Sequence, residues 1–89
     1  MEKLSKAKTG LVLGLFFAVV HAAWAVLVAV GVAQRLLDWI TGVHMLYNPY
    51  VVLDFSLGVA IGLVIVTFIV GYVFGWVFAA LWNSLRRSS

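Results

Sequence analysis

The sequence predicts an all-α fold, an integral membrane hairpin of two antiparallel transmembrane helices, and two observations carry that prediction. The 89 residues are 65% apolar and only 10% charged, whereas soluble proteins average about 45–50% apolar and 25% charged. A chain this short has too little interior to hide so many apolar side chains from water, which excludes a soluble globular domain. The chain also holds two uncharged runs, residues 9–33 and 55–82, each longer than the roughly 20 residues that cross a hydrocarbon core.

Both uncharged runs are predicted to be helices because a spanning segment must satisfy every backbone N–H and C=O group within itself or in a closed barrel. Two strands cannot close a barrel, and neither run alternates in polarity as membrane strands do. The two helices then make a single membrane domain. The rest of the chain divides into a basic end at 1–8, a linker at 34–54 and a basic tail at 83–89.

The positions of the lysines and arginines predict the orientation in the membrane. The basic end carries three lysines and the basic tail two arginines, while the linker has only Arg35. Segments that stay in the cytoplasm carry an excess of these residues. We therefore expect a multi-pass protein of the cell (inner or plasma) membrane with both termini in the cytoplasm.

The linker is predicted to lie at the outer membrane interface. Its apolar positions recur at helical spacing, which indicates a short amphipathic helix or an extension of the first span, and Pro49 predicts a turn. Arg35 and Asp38 are spaced to pair across one turn, and Asp54 is placed to cap the second helix. The candidate interfacial residues are Arg35, Asp38, Trp39, Tyr47, Asp54 and, beyond the linker, Trp82. A ligand or ion site at Asp38, His44 and Asp54 is the less favoured alternative.

Small residues recur every four positions in both runs and predict helix-packing faces, because close backbone contact drives association where the hydrophobic effect does not. The candidate packing residues are Gly10, Gly14, Ala18, Ala22, Ala25, Gly58, Gly62, Gly71 and Gly75. Gly58 and Gly75 are 17 residues apart, a rotation of about −100°, so the pairs 58/62 and 71/75 lie on different faces. We expect one pair to face the partner span and the other a neighbouring chain, which predicts a homo-oligomer. The alternative for a single pair is that glycine is simply common in membrane helices.

His21 is the most informative single residue because it is the only ionisable group well inside either run. Such groups usually face the protein interior or a water-filled cavity, and the spacing from Gly14, Ala18 and Ala25 puts His21 on the small-residue face. We expect neutral His21 to hydrogen-bond Thr67, at a matching depth in the second run, or a backbone carbonyl. Proton or ion conduction and ligation of a tetrapyrrole or metal are the less favoured alternatives.

The residue types present exclude several kinds of function. The chain has no cysteine, which excludes disulfides, thiolate metal sites and a cysteine nucleophile. It shows no nucleophile–base set, no paired carboxylates within a span and no phosphate-binding glycine loop, so we expect neither an enzyme nor a bound cofactor or metal. The basic residues form two small terminal clusters, which fits contact with anionic lipid better than nucleic-acid binding.

The second run and its end, FSLGVAIGLVIVTFIVGYVFGWVFAALWNSL, resemble the second helix of a group of short two-helix membrane proteins of bacteria and archaea that have no assigned function. The shared features are spaced glycines, an aromatic and alanine run, and an aromatic–Asn pair, here Trp82 and Asn83. A Tyr-x-Pro-Tyr turn, residues 47–50, precedes them. The resemblance implies a prokaryotic integral membrane hairpin and supplies no activity or site residues.

These observations together predict a small membrane protein with a structural, assembly or accessory role that associates with itself through Gly and Ala helix faces. One alternative is a homo-oligomeric proton or ion channel with His21 and Thr67 near the pore. Another is a small subunit of a larger membrane complex. The expected partners are the lipid bilayer, further copies of the chain and, as a third candidate, another membrane protein.

Overall fold

The computed structural model describes residues 2–88, with side chains described through residue 86. Within this part the chain forms three α-helices and no strand: α1 (Lys6–Ala29), α2 (Ala33–Val43) and α3 (Leu57–Ser88). The all-α prediction is therefore confirmed. Met1 and Ser89 and the side chains of residues 87 and 88, which belong to the predicted basic end and basic tail, lie outside the described residues.

Helix α1 begins and ends where its local sequence dictates. Ser5 is its N-cap and accepts a hydrogen bond at Oγ from the backbone N–H of Lys8 (3.2 Å), which satisfies one of the free donors of the first turn. The helix stops at Ala29 because Gly31 takes a left-handed backbone (φ +83°), which glycine adopts without the strain of a Cβ. The uncharged run predicted to span as far as Ala33 is thus divided, and Ala33 begins α2.

Helix α2 is a separate short helix rather than an extension of α1, which decides between the two alternatives for the linker. It ends at Val43, and Met45 then takes a left-handed backbone (φ 60°). The chain leaves the helix here, four residues before the turn predicted at Pro49. Residues 46–56 run without regular structure to the start of α3.

Helix α3 is capped by Ser56, not by Asp54 as predicted. The Oγ atom of Ser56 accepts from the N–H of Val59 (3.4 Å), and its carbonyl accepts from the N–H of Ala60 (2.9 Å). The helix starts two residues later than the uncharged run, so Asp54 is too far upstream to cap it. With 32 residues, α3 is about 48 Å long at 1.5 Å per residue, which equals the longest dimension of the molecule, 48 Å.

Helices α1 and α3 pack side by side in opposite directions along a seam of small residues. The buried positions of α1 are Gly10, Gly14 and Ala18, and those of α3 are Gly71, Gly75, Ala79 and Asn83. Both sets are spaced by four residues, and a spacing of four keeps a row nearly on one side of a helix. The seam accounts for all of the buried residues in the described part of the chain except Ala33.

Large apolar side chains cover the outside of both long helices instead of filling a core. Val12 is 63% exposed, Phe16 59% and Val66 57%, and the other exposed large apolar side chains of the two helices range from 40% to 72%. Soluble monomers rarely expose contiguous apolar patches of this extent. Two segments of the described chain, Lys6–Ala29 and Leu57–Arg86, are long and apolar enough to cross a membrane, judged by length and composition.

Candidate functional site

At one end of the pair the backbones of α1 and α3 are in direct contact. A Cβ atom added to Gly75 would lie 2.6 Å from both the Cα of Gly10 and the carbonyl oxygen of Thr9. One added to Gly71 would lie 2.6 Å from the carbonyl oxygen of Leu13 and 2.9 Å from the Cα of Gly14. No real side chain fits at these distances, so glycine is required at both positions. We call this region, residues 6–18 of α1 and 68–83 of α3, the glycine-packed end.

The other glycine pair of α3 has no partner within the chain. A Cβ added to Gly58 or Gly62 would meet nothing within 4 Å. Of the two glycine pairs that the sequence offers for packing, the structure therefore places 71/75 against α1 and leaves 58/62 facing outward. Ala22 and Ala25, on the continuation of the α1 row, are only half-buried.

The N-terminal segment before α1 is fastened to the end of α3 by two side chains. The carboxamide of Asn83 pairs with the backbone of Leu4, accepting from its N–H (2.8 Å) and donating to its carbonyl (2.9 Å). The indole N–H of Trp82 donates to the carbonyl of Glu2 (2.7 Å). Lys6 lies over the ring of Trp76, 4.9 Å from its centroid, a cation–π contact. Trp82, predicted only as an interfacial residue, therefore also holds the N-terminal segment.

At the opposite end α1 and α3 stand apart, and α2 with residues 50–56 lies beside the gap. We call this region, residues 21–64, the loop end. The gap is a groove of about 770 Å³ whose wall includes His21, Trp24 and Leu63. On the other side of the pair lies a smaller, apolar hollow of about 340 Å³ between Ala22, Ala25 and Ile61. The small residues of this part of α3 do not continue the seam, because a Cβ added to Gly58 or Gly62 would meet nothing of α1 within 4 Å.

His21 is satisfied by its own helix at one ring nitrogen. Its Nδ1 lies 2.7 Å from the carbonyl oxygen of Phe17, and since a carbonyl can only accept, Nδ1 carries the hydrogen. The expected hydrogen bond to a backbone carbonyl is thus present, while the alternative partner, Thr67, bonds elsewhere. The Thr67 hydroxyl lies 2.8 Å from the carbonyl of Leu63 and 3.1 Å from that of Val64.

The relative positions of the helices explain why His21 and Thr67 do not meet. Gly10 lies against Gly75 and Gly14 against Gly71, and the same register carried along both helices sets His21 level with residue 64. Thr67 is three residues away, about 4.5 Å along the axis, and level instead with Ala18. The expected depth of the partner was wrong by about one helical turn.

A polar network at the loop end ties α2 to the segment that follows it. Gln34 donates to the carbonyl of Tyr50 (3.2 Å) and to Asp38 Oδ1 (3.0 Å), and its own oxygen accepts from the N–H of Val52 (2.6 Å). The amide of Asn48 donates to the same oxygen of Asp38 (2.7 Å). These two hydrogen bonds, with that from Asn48 the stronger cause, hold the pKa of Asp38 below its ordinary value, because they stabilise the charged form.

The predicted pair between Arg35 and Asp38 is wrong. Among the described residues, Oδ1 of Asp38 instead accepts hydrogen bonds from the side-chain amides of Gln34 and Asn48. The predicted aromatic anchors lie at the surface of the loop end, with Trp39 65% and Tyr47 100% exposed. Residues 2–88 contain no cluster of three or more histidine and carboxylate side chains that could hold a metal ion.

Comparisons with protein-family models, with curated proteins and with solved structures found no match. The resemblance of α3 to the short two-helix membrane proteins therefore stays a prediction. The candidate site is defined by the chain's own geometry: a glycine-packed end, an outward-facing glycine pair, and a groove at the loop end that contains His21.

Two sets of hydrogen bonds that hold irregular segments were not predicted from the sequence. The pairing of Asn83 with Leu4 joins residues 79 positions apart, so no local pattern announces it, although an asparagine beside a spanning run is a polar residue in need of a partner. The role of Gln34 was missed because the charged residues that follow it, Arg35 and Asp38, were expected to form the polar contacts of this segment. An amide with both a donor and an acceptor is, however, well suited to bind an extended backbone.

Proposed function

We propose that the chain is a small integral membrane protein that associates with copies of itself and has a structural, assembly or accessory role. The observation that carries the proposal is the exposure of large apolar side chains around both long helices, with Val19 66% and Val59 72% exposed. In water this surface would aggregate, whereas in a bilayer it faces lipid. The protein lies in a cell membrane with both termini on the cytoplasmic side, in agreement with the positive-inside rule.

The outward-facing pair Gly58 and Gly62 supports self-association. Lipid tails gain nothing from a glycine, but a neighbouring helix can approach its backbone closely. Gly10, Gly14, Gly71 and Gly75 are already used within the chain, which leaves 58/62 as the pair available to a second copy. A copy that docks there extends the bundle without disturbing the glycine-packed end.

Copy number is tested by native mass spectrometry of the protein in nanodiscs. Replacing both Gly58 and Gly62 by isoleucine is expected to shift the distribution to monomers. Val70→Ile is the matched control, because Val70 is an exposed position of the same helix turned by about 120° from Gly58. A wild-type protein that is monomeric at all concentrations contradicts self-association, and a co-purifying partner would favour the role of subunit in a larger complex.

The orientation is tested separately with single cysteines in the cysteine-free chain. A membrane-impermeant maleimide added to intact cells is expected to label Met45→Cys, at a 92% exposed position of the loop end. It should label Ser84→Cys, near the other end of α3, only after permeabilisation. Labelling of Ser84→Cys alone in intact cells would reverse the proposed orientation.

The channel alternative gives His21 a different role. It predicts pH-dependent ion flux into proteoliposomes that is lost in His21→Ala. The Thr67 hydroxyl is bound to carbonyls of its own helix, which leaves His21 as the one of the two mid-helix polar groups that lies on a groove. Flux equal to that of empty liposomes supports the structural role.

A further inference from the structure

Two side chains of α1 that line the loop-end groove each carry a polar atom without a partner in the described part of the chain. Nδ1 of His21 is bound to Phe17, but no group of residues 2–88 is within hydrogen-bond distance of its Nε2 atom. The indole N–H of Trp24, three residues further along the same helix, is likewise without a partner. Both side chains line the groove, and both are only half-buried.

These two atoms have complementary chemistry. Because Nδ1 carries the hydrogen, Nε2 of the neutral imidazole is an acceptor, while the indole nitrogen is only a donor. His21 lies eight residues, about 12 Å, from the end of α1, a depth at which an unsatisfied polar group is costly. Residues three apart are neighbours on the surface of a helix, so a hydroxyl placed between the two side chains would donate to Nε2 and accept from the indole N–H.

The groove has the size and access that a lipid-soluble molecule needs. Its volume of about 770 Å³ lies within the usual range of ligand pockets, roughly 300–1,000 Å³. Most of the lining is aliphatic, from Val20 and Val28 on α1 to Val59 and Leu63 on α3. The groove is open rather than enclosed, which gives a molecule dissolved in the bilayer a route into it.

We propose that the loop-end groove binds a long apolar alcohol or phenol, whose hydroxyl donates to His21 Nε2 and accepts from Trp24 Nε1. The inference rests on the proposed membrane location but not on the copy number. The apolar part of the ligand fills the space that the diverging helices leave between Val28 and Val59.

The test is NMR of the ¹⁵N-histidine-labelled protein in nanodiscs, titrated with decanol. Nanodiscs that retain the folded protein are prepared first, so that a failure of membrane insertion is seen before any ligand is added. Decanol is expected to move the His21 Nε2 resonance to that of a hydrogen-bonded acceptor. His44 is an internal control, since its Nδ1 also lies near the carbonyl four residues back (Ile40, 2.6 Å) but it is outside the groove.

Two matched compounds and three variants separate the contacts. Decyl methyl ether keeps the oxygen but loses the donor, and is expected to bind about fivefold less tightly, the ratio that one hydrogen bond contributes. Decane should leave the resonance unmoved. Trp24→Phe should weaken decanol binding by a similar factor, and His21→Phe, followed by Trp24 fluorescence, should weaken it as well. Thr67→Val, outside the groove and bound within its own helix, should leave it unchanged.

Three results would overturn the proposal. In the first, decane moves the resonance as far as decanol does, which would mean that only the apolar space is filled. In the second, His44 shifts together with His21, as expected for a general solvent effect. In the third, His21 Nε2 is already hydrogen-bonded without decanol and its resonance does not change when decanol is added. Nε2 would then accept its hydrogen bond from water or from a second copy of the chain.

Discussion

At the glycine-packed end the backbones of α1 and α3 touch, whereas at the loop end the same two helices diverge and leave a groove of about 770 Å³. The first region contains the buried small residues Gly10, Gly14, Gly71 and Gly75, whereas in the second neither long helix has a buried residue and the small residues Ala22 and Ala25 are half-buried. The helices meet where small residues of both face each other, and small residues without such a partner, as at Gly58 and Gly62, do not bring them together.

The polar contacts follow the same division. At the glycine-packed end Asn83 is buried and both of its amide atoms bind the backbone of Leu4. At the loop end the amide of Gln34 donates to the carbonyl of Tyr50 and accepts from the N–H of Val52, near the surface. Each end thus fastens an irregular segment with one carboxamide. We expect the buried one to contribute more to stability, because an unpaired buried group loses its hydrogen bonds to water as well.

The largest effect is expected for Gly75→Ala, which puts a methyl group 2.6 Å from the backbone of Gly10. The helices must separate along the seam, and overpacking of this kind typically costs about 1–3 kcal/mol; we expect the upper part of that range. The free energy of unfolding in mixed micelles measures the loss. Gly42→Ala is the control, since its added methyl meets nothing within 4 Å and Gly42 belongs to neither glycine pair; an equal loss there would contradict the assigned seam.

The next effect is expected for Asn83→Ala, which leaves the N–H and the carbonyl of Leu4 without partners. An unsatisfied buried group costs about 1–3 kcal/mol, and we expect a loss of about 2 kcal/mol. Hydrogen exchange of the Leu4 amide should rise together with it. Ser84→Ala, at the neighbouring exposed position, should change neither quantity. Unchanged exchange at Leu4 in Asn83→Ala would show that the N-terminal segment is held by other contacts.

The sequence predicted the two long helices but not which glycines bring them together. The two long helices follow from the length and polarity of the runs, because the need to satisfy the backbone in lipid leaves no other structure. The choice between the glycine pairs 71/75 and 58/62 does not follow. Both have the same spacing, and what separates them is the register with Gly10 and Gly14, a relation between distant residues that periodicity does not contain.

Predictions at the loop end failed for a different reason. Each assigned a charged residue to the nearest available role: Arg35 to Asp38, and Asp54 to the start of α3. In the structure uncharged residues do this instead: Gln34 and Asn48 donate hydrogen bonds to Asp38, and Ser56 caps α3. Where several polar residues are close in sequence, short-range spacing allows many pairings, and the path of the backbone selects among them.

A smaller effect is expected for Gln34→Met, which keeps the length of the side chain but removes its amide. The N–H of Val52 and the carbonyl of Tyr50 lose their partner, and because the site is near the surface we expect about 1 kcal/mol. Hydrogen exchange at Val52 should accelerate while that of α1 residues 10–18 stays constant. Arg35→Met is the control. Faster exchange at the glycine-packed end as well would show that the two ends are not independent.

A low pH should destabilise the loop end in the same way as the Gln34→Met substitution. The pKa of Asp38 is lowered from 3.8 by its hydrogen bonds with Asn48 and Gln34. A group with a lowered pKa contributes its stability above the unfolded value and loses it as the pH falls through the folded value. Exchange at Val52, corrected for its intrinsic pH dependence, should therefore rise below pH 3.8. The rise should be absent in Asp38→Asn, and a wild-type response shared with this variant would assign the effect to another group.

The smallest effect is expected for Thr67→Val, which lies between the two ends. The Thr67 hydroxyl binds the carbonyls of Leu63 and Val64 in its own helix, and those carbonyls remain part of the helix without it. Valine has nearly the same shape, so the free energy of unfolding should change by less than about 0.5 kcal/mol. A loss of more than about 1 kcal/mol, relieved when His21 is replaced by phenylalanine, would mean that the two side chains do interact in the membrane. In that case the helices would lie closer together near His21 than the groove allows, and the contrast between the two ends would be smaller than the structure indicates.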